Sequence, residues 1–574
     1  MWNESNFDDL SENGNVSIVE NVEESRSHPP SSLLWAIAIA AIILFLCSSL
    51  RHALFQSTAF DLGIFDQAIY LISQNQTPFS SLMQIHILGD HAAVIYYPLA
   101  LLYKIYPDVH WLFLVQAIAL SLGAWPSWSL GLLAGLNQVQ SRAIAFIYLL
   151  YPVVFNINLF DFHPEVIALP ALLGAILAAR LNKVLWFCSA VLLVLSCKAV
   201  LSLTVAAMGF WLFWCEKKQR CGAIALLLGV AWFVIASQKI IPLFSGSEVA
   251  GVGRYSYLGK SVLEIAINLI LKPQLVLAKI LSFDTFKYIF ILTLPVIWGL
   301  LPFFSKIGVR YLTPLIPAIP TLAINILSDL PFQRSLAYQY SVPIIPFLLL
   351  AVISKEEGRI TPPDPQEEKF TPPLTLPREK KEEGSSATDY VTDVRKMEDG
   401  IGQKEEDQPN HQLLSPSVPW GKFQDSKLTN LSLTISRLPQ LWLGMQLPKT
   451  MIIWSLIIFL FLGEYKDFLL YLNRLDTWQA TREAIAQIQP QSSILTDNRL
   501  APHFAHRPIV KLLSQISPQT DLAEFKYILL NQRHPWPDTA KIGNDLANRL
   551  KNTSQFQLAY QKNQVLLFKR IGDS

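Results

Sequence analysis

Long apolar runs, interrupted by short polar stretches, set the pattern of this chain. Runs of about 20 predominantly apolar residues predict membrane-crossing helices. Eleven are read: 33–50, 110–134, 142–159, 165–181, 184–198, 199–215, 221–241, 287–304, 311–327, 340–354 and 450–464. Several are short or contain proline. The stretch 92–106 is short, aromatic and carries Lys104, which predicts a re-entrant or interfacial segment. Over 258–281, apolar residues recur at helical spacing with few charges. That segment reads as a helix lying in the interface plane or as one more buried helix. Beyond residue 473 the pattern changes. It predicts a helix near 477–488, strands near 492–496, 508–513 and 526–531, a helix near 538–551 and a hairpin near 556–570. The expected fold is a polytopic α-helical membrane protein: a transmembrane domain over 33–354 with an external loop at 51–109, a last transmembrane helix at 450–473, and a small α/β domain over 474–574.

Composition agrees with that pattern. Of the 574 residues, 51% are hydrophobic and 16% charged, against about 25% charged in soluble chains, which excludes an ordinary cytosolic enzyme. The net charge of +2 is too small to point to nucleic acid. The charges are concentrated: between Lys355 and Asp407, 24 of 53 residues are Asp, Glu, Lys or Arg. With its prolines, this region predicts a disordered cytoplasmic insert over 355–449. The first 32 residues hold seven acidic residues and one Arg, the reverse of a signal peptide's basic start, and predict a disordered cytoplasmic tail before an uncleaved anchor. Lys and Arg in the short loops (Arg142, Arg180, Lys183, Lys217, Lys218, Arg220, Lys306, Arg310) place those loops in the cytoplasm. The 51–109 loop and the α/β domain are then extracytoplasmic. The five cysteines have neither metal-ligand spacing nor a disulfide framework.

Ionisable residues gather on that external side. Asp61 and Asp66 lie just past the first span, Asp90 and His91 later in the same loop, Asp161, His163 and Glu165 after the third span, and Lys198 at a turn between spans. Ionisable groups at membrane depth are costly and mark functional sites by default, although helix caps account for single cases. Asp61 follows Phe60, and Asp161 stands between Phe160 and Phe162. Such apolar rings predict desolvation that raises a carboxyl pKa toward that of a general base. A general base, a divalent cation site and a proton relay all suit these residue types. Asp161-x-His163-x-Glu165 permits metal coordination without requiring it. Arg254, Lys198, Lys260 and Lys272 are candidate phosphate contacts. There is no G-x-S-x-G nucleophile elbow and no Walker A sequence.

The run Phe60-Asp61-Leu62-Gly63-Ile64-Phe65-Asp66-Gln67, the Gly89-Asp90-His91 step, Phe160-Asp161-Phe162-His163-Pro164-Glu165, and in the tail Asn498-Arg499-Leu500-Ala501-Pro502-His503-Phe504-Ala505-His506-Arg507 resemble the bacterial membrane proteins of domain-of-unknown-function family 2079. The resemblance covers about 33–354 and 450–570. It implies similarity to integral-membrane glycosyltransferases of the C-type fold (GT-C), which transfer a sugar from a polyprenyl-phosphate donor at the outer face with an acidic residue of the first external loop. Ala199 and Val200 follow Lys198 where the family pattern has acidic residues, which argues against an ion pair centred on that lysine.

What the resemblance implies is a plasma-membrane glycosyltransferase acting at the extracytoplasmic face. Asp61 is the expected base and Asp66 the reserve. Asp90, His91, Asp161, His163, Glu165, Lys198 and Arg254 surround the substrates. The expected partners are the membrane and a lipid-phosphate donor, with a divalent cation as candidate cofactor. The rival readings are a transporter or lipid-handling protein using the same charged cavity, and a non-catalytic scaffold. Paired broken helices in inverted repeats, common in transporters, are not visible.

Overall fold

The computed structural model describes residues 29–247, 250–300, 309–360, 447–517 and 519–572. The tail expected over 1–32 and the insert expected over 355–449 lie largely outside these residues. Five helices are long and apolar enough to cross a bilayer: Ser31–Ala53, His110–Leu133, Gln138–Phe160, Gln219–Ser245 and Phe283–Leu300. The expected count of eleven is not reached by helix length. Val184–Cys197, Leu201–Trp214, Gln339–Lys355 and Pro448–Leu462 are apolar but shorter. Glu165–Arg180 has 16 residues, about 24 Å of helix. The expected span at 311–327 begins as a 3-10 run, Val309–Ala318, with Pro314 and Pro317 inside it, before the α-helix Ile319–Leu327. Each proline removes a backbone donor and opposes a regular α-helix.

Apolar side chains that would be liabilities in water stay exposed on these helices, among them Trp35, Leu46, Leu185, Trp186 and Leu227, as a lipid-facing surface requires. Small residues bring helices together inside. A Cβ on Gly222 or Gly229 would stand 2.6 Å from the backbone of the neighbouring Leu201–Trp214 helix, so only glycine permits that approach. Several polar side chains within the bundle pair across helices. The Asn158 amide donates to the Leu44 carbonyl at 2.8 Å, and the Gln116 amide donates to the Asn158 carbonyl at 3.1 Å. The segment expected at 258–281 forms two helices, Val262–Leu271 and Pro273–Ile280, with no buried residue in either. That removes the buried-helix reading.

The loop after the first span contributes a helix, Ile64–Ser73, a two-strand hairpin of β1 (Phe79–Ser80) and β2 (Ile85–His86), a short turn of helix at Leu88–His91, and Tyr96–Ile105. The C-terminal α/β region has a five-stranded sheet of β3 (Ile494–Thr496), β4 (Val510–Leu512), β5 (Tyr527–Asn531), β6 (Phe556–Lys562) and β7 (Val565–Arg570). Their spatial order is β4-β3-β5-β7-β6. β3 runs parallel to β4 and β5, and β7 is antiparallel to β5 and β6. Asn563 and Gln564 both take positive φ at the hairpin tip, the turn geometry whose twist matches two antiparallel strands.

Period-2 alternation in the central strands fills two cores. Ile528 and Leu530 of β5 and Leu566 and Phe568 of β7 pack with Leu546 and Leu550 of the helix Ala540–Lys551. Tyr527, Leu529, Val565 and Leu567 point the other way and join the core of the helical bundle and its loops. The central strands of the domain therefore bury one face against the membrane part, while most of β6 stays exposed. Hydrogen bonds run along this seam. The Gln67 amide donates to the Arg507 carbonyl at 2.9 Å, the Val510 N–H donates to Ser81 Oγ at 3.0 Å, and the Trp478 indole donates to the Ala53 carbonyl at 2.9 Å.

Candidate functional site

The chain leaves the first span through Gln56–Thr58 into a five-residue turn, Ala59–Gly63. Asp61 sits in it at φ 97, ψ −90, a region that side-chain-bearing residues rarely occupy. Such a conformation costs about 1–3 kcal/mol and persists where surrounding contacts impose it. Those contacts come from the C-terminal domain: the Ala59 N–H is accepted by both the carbonyl and the side-chain oxygen of Asn498, at 2.8 and 2.9 Å. Asp161 ends the helix Pro152–Phe160 at φ 138 and is also far from an ordinary conformation. Its carboxylate is fully engaged. It is paired with the Arg51 guanidinium and accepts from the Thr58 backbone N–H at 3.0 Å and the Thr58 hydroxyl at 2.8 Å. Asp161 thus ties the end of the first span to the base of the Asp61 turn.

His163 Nε2 lies 3.0 Å from the Asp61 carboxylate, and its ring stacks on Phe160. Burial works to raise the Asp61 carboxyl, but His163, with Lys198 and Arg51 further off, outweighs it and holds the group below its usual range. Asp61 in turn raises His163 against the opposing effect of burial, so each partner favours the charged form of the other. The expectation of a raised carboxyl at Asp61 is not met, because a charged partner outweighs the apolar rings. At Asp161 it is met: burial raises that carboxyl against the Arg51 guanidinium. Asp90 is raised as well: burial, helped by Asp61 and Glu165, pushes it up to about 6 against Lys198 and Arg254. His91 lies 3.2 Å from Asp90 and is held well below its usual value by burial and by the same two cations. A Cβ on Gly89 would come within 2.7 Å of the Phe244–Ser245 backbone, so glycine lets the Asp90-bearing turn press against that helix.

Glu165 begins the helix Glu165–Arg180 and takes the Lys198 ammonium at 2.7 Å, with both side chains almost fully buried. The expectation against a Lys198 ion pair is overturned: Glu165, brought in from another helix, stands in for the acidic neighbour that Ala199 and Val200 do not provide. Arg254 lies on the short 3-10 turn Ala250–Tyr255 with its guanidinium 5.5 Å from the centre of the Tyr340 ring. It has no ion-pair partner among the described residues.

Side-chain exposure separates the roles. Asp61 is 27% exposed and His91 32%, whereas His163 and Asp161 are 0% and Glu165 and Lys198 6% and 7%. Asp61 is thus the more open carboxylate, and the buried His163 lies behind it. Asp161, His163 and Glu165 turn to three different partners and do not converge as ligands. Among the described residues no group of three or more His, Cys, Asp or Glu side chains is placed to hold a metal ion.

Asp66 is not brought into this cluster. It is buried, accepts from the Tyr103 hydroxyl at 2.6 Å and lies 3.0 Å from His506 Nε2, which places it in the domain seam. Sequence reasoning passed over Arg51, Thr58 and Asn498. Arg51 carried a signal, a cation in the last turn of an apolar span. Tyr96 was missed too; its buried hydroxyl sits among Asp90, Glu165 and Asp61.

These features describe a helical membrane protein with a docked α/β domain, whose loops converge on one accessible carboxylate. The chain belongs to the family described as "Predicted membrane protein (DUF2079)", which matches residues 51–362 and 425–567. No curated protein matches the chain. Among solved structures, ArnT from Cupriavidus metallidurans bound to undecaprenyl phosphate is similar at 11% identity and a TM-score of 0.48, covering 94% of this chain and 98% of ArnT. The apo state of ArnT is similar at 11% identity and a TM-score of 0.44, covering 92% and 98%.

Proposed function

We propose that this protein is a membrane glycosyltransferase that moves a sugar from a polyprenyl-phosphate donor to an acceptor hydroxyl at the extracytoplasmic face of the bacterial plasma membrane. The observation that carries this reading is the Asp61–His163 pair: an accessible, ionised carboxylate on a strained turn, backed by a buried imidazole. Asp61 takes the acceptor hydroxyl proton as that oxygen bonds to the anomeric carbon. The bond from that carbon to the donor phosphate breaks, and the phosphate leaves with the electron pair. Arg254, without an ion-pair partner among the described residues and close enough to act electrostatically on Asp90 and His91, meets the phosphate charge. Lys198, held by Glu165, adds positive potential from behind. The loop motifs resemble family 2079, whose similarity to the C-type glycosyltransferases supports a fold suited to this chemistry.

The test is sugar transfer from labelled cell lipid in membranes carrying Asp61→Asn. The swap keeps size and removes the base, which contributes about 10²–10⁴-fold. Transfer at the wild-type rate would remove Asp61 from the mechanism. A wild type inert toward every plausible donor would favour the transporter reading.

A further inference from the structure

A second charged recess opens where the first span ends against the C-terminal domain. Phe55, Gln56, Arg474, Arg499, Asn531 and His534 are among the residues lining it. None of them belongs to the Asp61 cluster.

Two guanidinium groups share this crevice with little to neutralise them. Arg474 donates to the side-chain oxygen of Gln56, a neutral partner. Arg499 lies with its guanidinium 4.9 Å from the centre of the Trp536 ring. It has no side-chain hydrogen bond or ion pair among the described residues. Two carboxylates are near. Asp497 turns one oxygen to the N–H groups of Arg499 and Leu500, at 2.9 and 3.1 Å, and so caps its own turn, while burial pushes it up to about 6. Asp476 is taken by His534 at 2.6 Å and Arg533 at 3.2 Å. Burial, then the adjacent Arg474, lowers Arg499 to about 10; Asp497 opposes this in part, and Arg51 adds to the repulsion. Holding like charges together in a partly buried crevice is unfavourable until an anion joins them. Paired planar guanidinium forks match the oxygens of a phosphate.

The approach to the crevice is apolar. The helix Asp467–Leu472, which leads directly into Arg474, buries no residue. Leu469, Leu470, Leu472 and Leu475 are 45–69% exposed, and Leu54 and Phe55 continue the first span into the crevice wall. A ligand that fits both features has an anionic head and a hydrocarbon tail.

We infer that this crevice is an anion site in which Arg474 and Arg499 hold the phosphate group of a membrane amphiphile. The inference does not depend on sugar transfer, since it concerns binding at residues outside the Asp61 cluster. It also gives a role to Arg499 of the Asn498–Arg507 motif, which the proposed chemistry leaves unused.

The experiment uses the full-length wild-type protein in a phosphate-free detergent. Phenylglyoxal modification of Arg474 and Arg499 is followed by mass spectrometry with decyl phosphate, inorganic phosphate or decanol present. Decyl phosphate is expected to slow modification of both arginines at least tenfold, at concentrations where inorganic phosphate does little and decanol nothing. In a parallel binding titration, Arg499→Gln and Arg474→Gln should each weaken decyl phosphate at least tenfold, with Arg499→Lys between them and wild type. Unchanged modification rates with decyl phosphate would overturn the site whether or not the variants fold. Equal protection by inorganic phosphate and decyl phosphate would overturn the amphiphile and leave a free phosphate as the ligand. Equal protection by decanol would overturn the role of the phosphate.

Discussion

Asp61 and Asp66 stand five residues apart in one loop, yet they occupy different worlds. Asp61 lies on an irregular turn, partly open, beside the His163 imidazole. Asp66 lies on the regular helix Ile64–Ser73, buried between Tyr103 and His506. The backbone makes the difference. The strained turn projects the first carboxylate outward, and the helix that follows rotates the second into the seam with the C-terminal domain. Under the proposed function, chemistry and docking are separate duties of neighbouring residues, coupled through the domain that clamps the turn at Asn498.

That separation can be broken experimentally, and after Asp61 itself the largest effect is expected at His163. His163→Gln removes the imidazole that holds the Asp61 carboxyl low. Transfer should fall about 100-fold, and the acid limb of the pH profile should move to higher pH, because the freed carboxyl binds its proton more readily. An unmoved acid limb would show that the two residues are not electrostatically paired. Asp66→Ala should act on stability instead, leaving His506 and Tyr103 facing an empty position. A loss of about 3 kcal/mol is expected, read as a lower unfolding midpoint in detergent, with transfer retained at permissive temperature.

Acidification should loosen the same seam. The His503 ring stacks on His52 at 4.0 Å, and burial pushes it down to about 4, below the unfolded value of about 6.5. The unfolded chain therefore binds the extra proton first. The neutral ring's contribution is complete above pH 6.5 and is lost as pH falls toward 4, by up to about 3 kcal/mol. His506 works in the opposite sense. Burial lowers it, but Asp66 raises it further, so its pairing stabilises below about 6.5 and is lost as pH rises through its folded value. Docking should be tightest near neutrality, as measured by hydrogen exchange over residues 497–506 across pH. Protection, corrected for the intrinsic pH dependence of amide exchange, that rises steadily from pH 6.5 to 4 would contradict this. The smallest effect is expected for Asn498→Ala. The Ala59 N–H keeps the Asn498 carbonyl and loses only the side-chain oxygen, a change of about 1 kcal/mol, seen as roughly fivefold faster exchange of that amide.

The two regions also differed in how far the sequence disclosed them. The strands Tyr527–Asn531 and Val565–Arg570 were legible because short apolar runs between turn residues suit strands buried on both faces. That one of those faces docks onto the membrane part was not legible, because polar and apolar positions along a strand do not name the surface they meet. The convergence of Asp61, Asp90, His91, His163, Glu165 and Lys198 followed from their common side of the span map. Their pairings did not follow, because Arg51, His163 and Glu165 reach their partners across long stretches of chain. Asp66 was grouped with Asp61 on proximity alone, and a helix turns neighbours away from each other. Helix length does not reach the count of eleven where prolines such as Pro314 and Pro317 shorten the α-helix without interrupting the apolar composition.

The most direct test of the division between Asp61 and Asp66 is one transfer assay run in parallel on wild type, Asp61→Asn and Asp66→Asn, each checked for folding and each given the same labelled cell lipid. The expected result is transfer lost with Asp61→Asn and kept within a few-fold of wild type with Asp66→Asn. Transfer kept by Asp61→Asn and lost by a folded Asp66→Asn would contradict the assignment and move the reacting carboxylate into the seam.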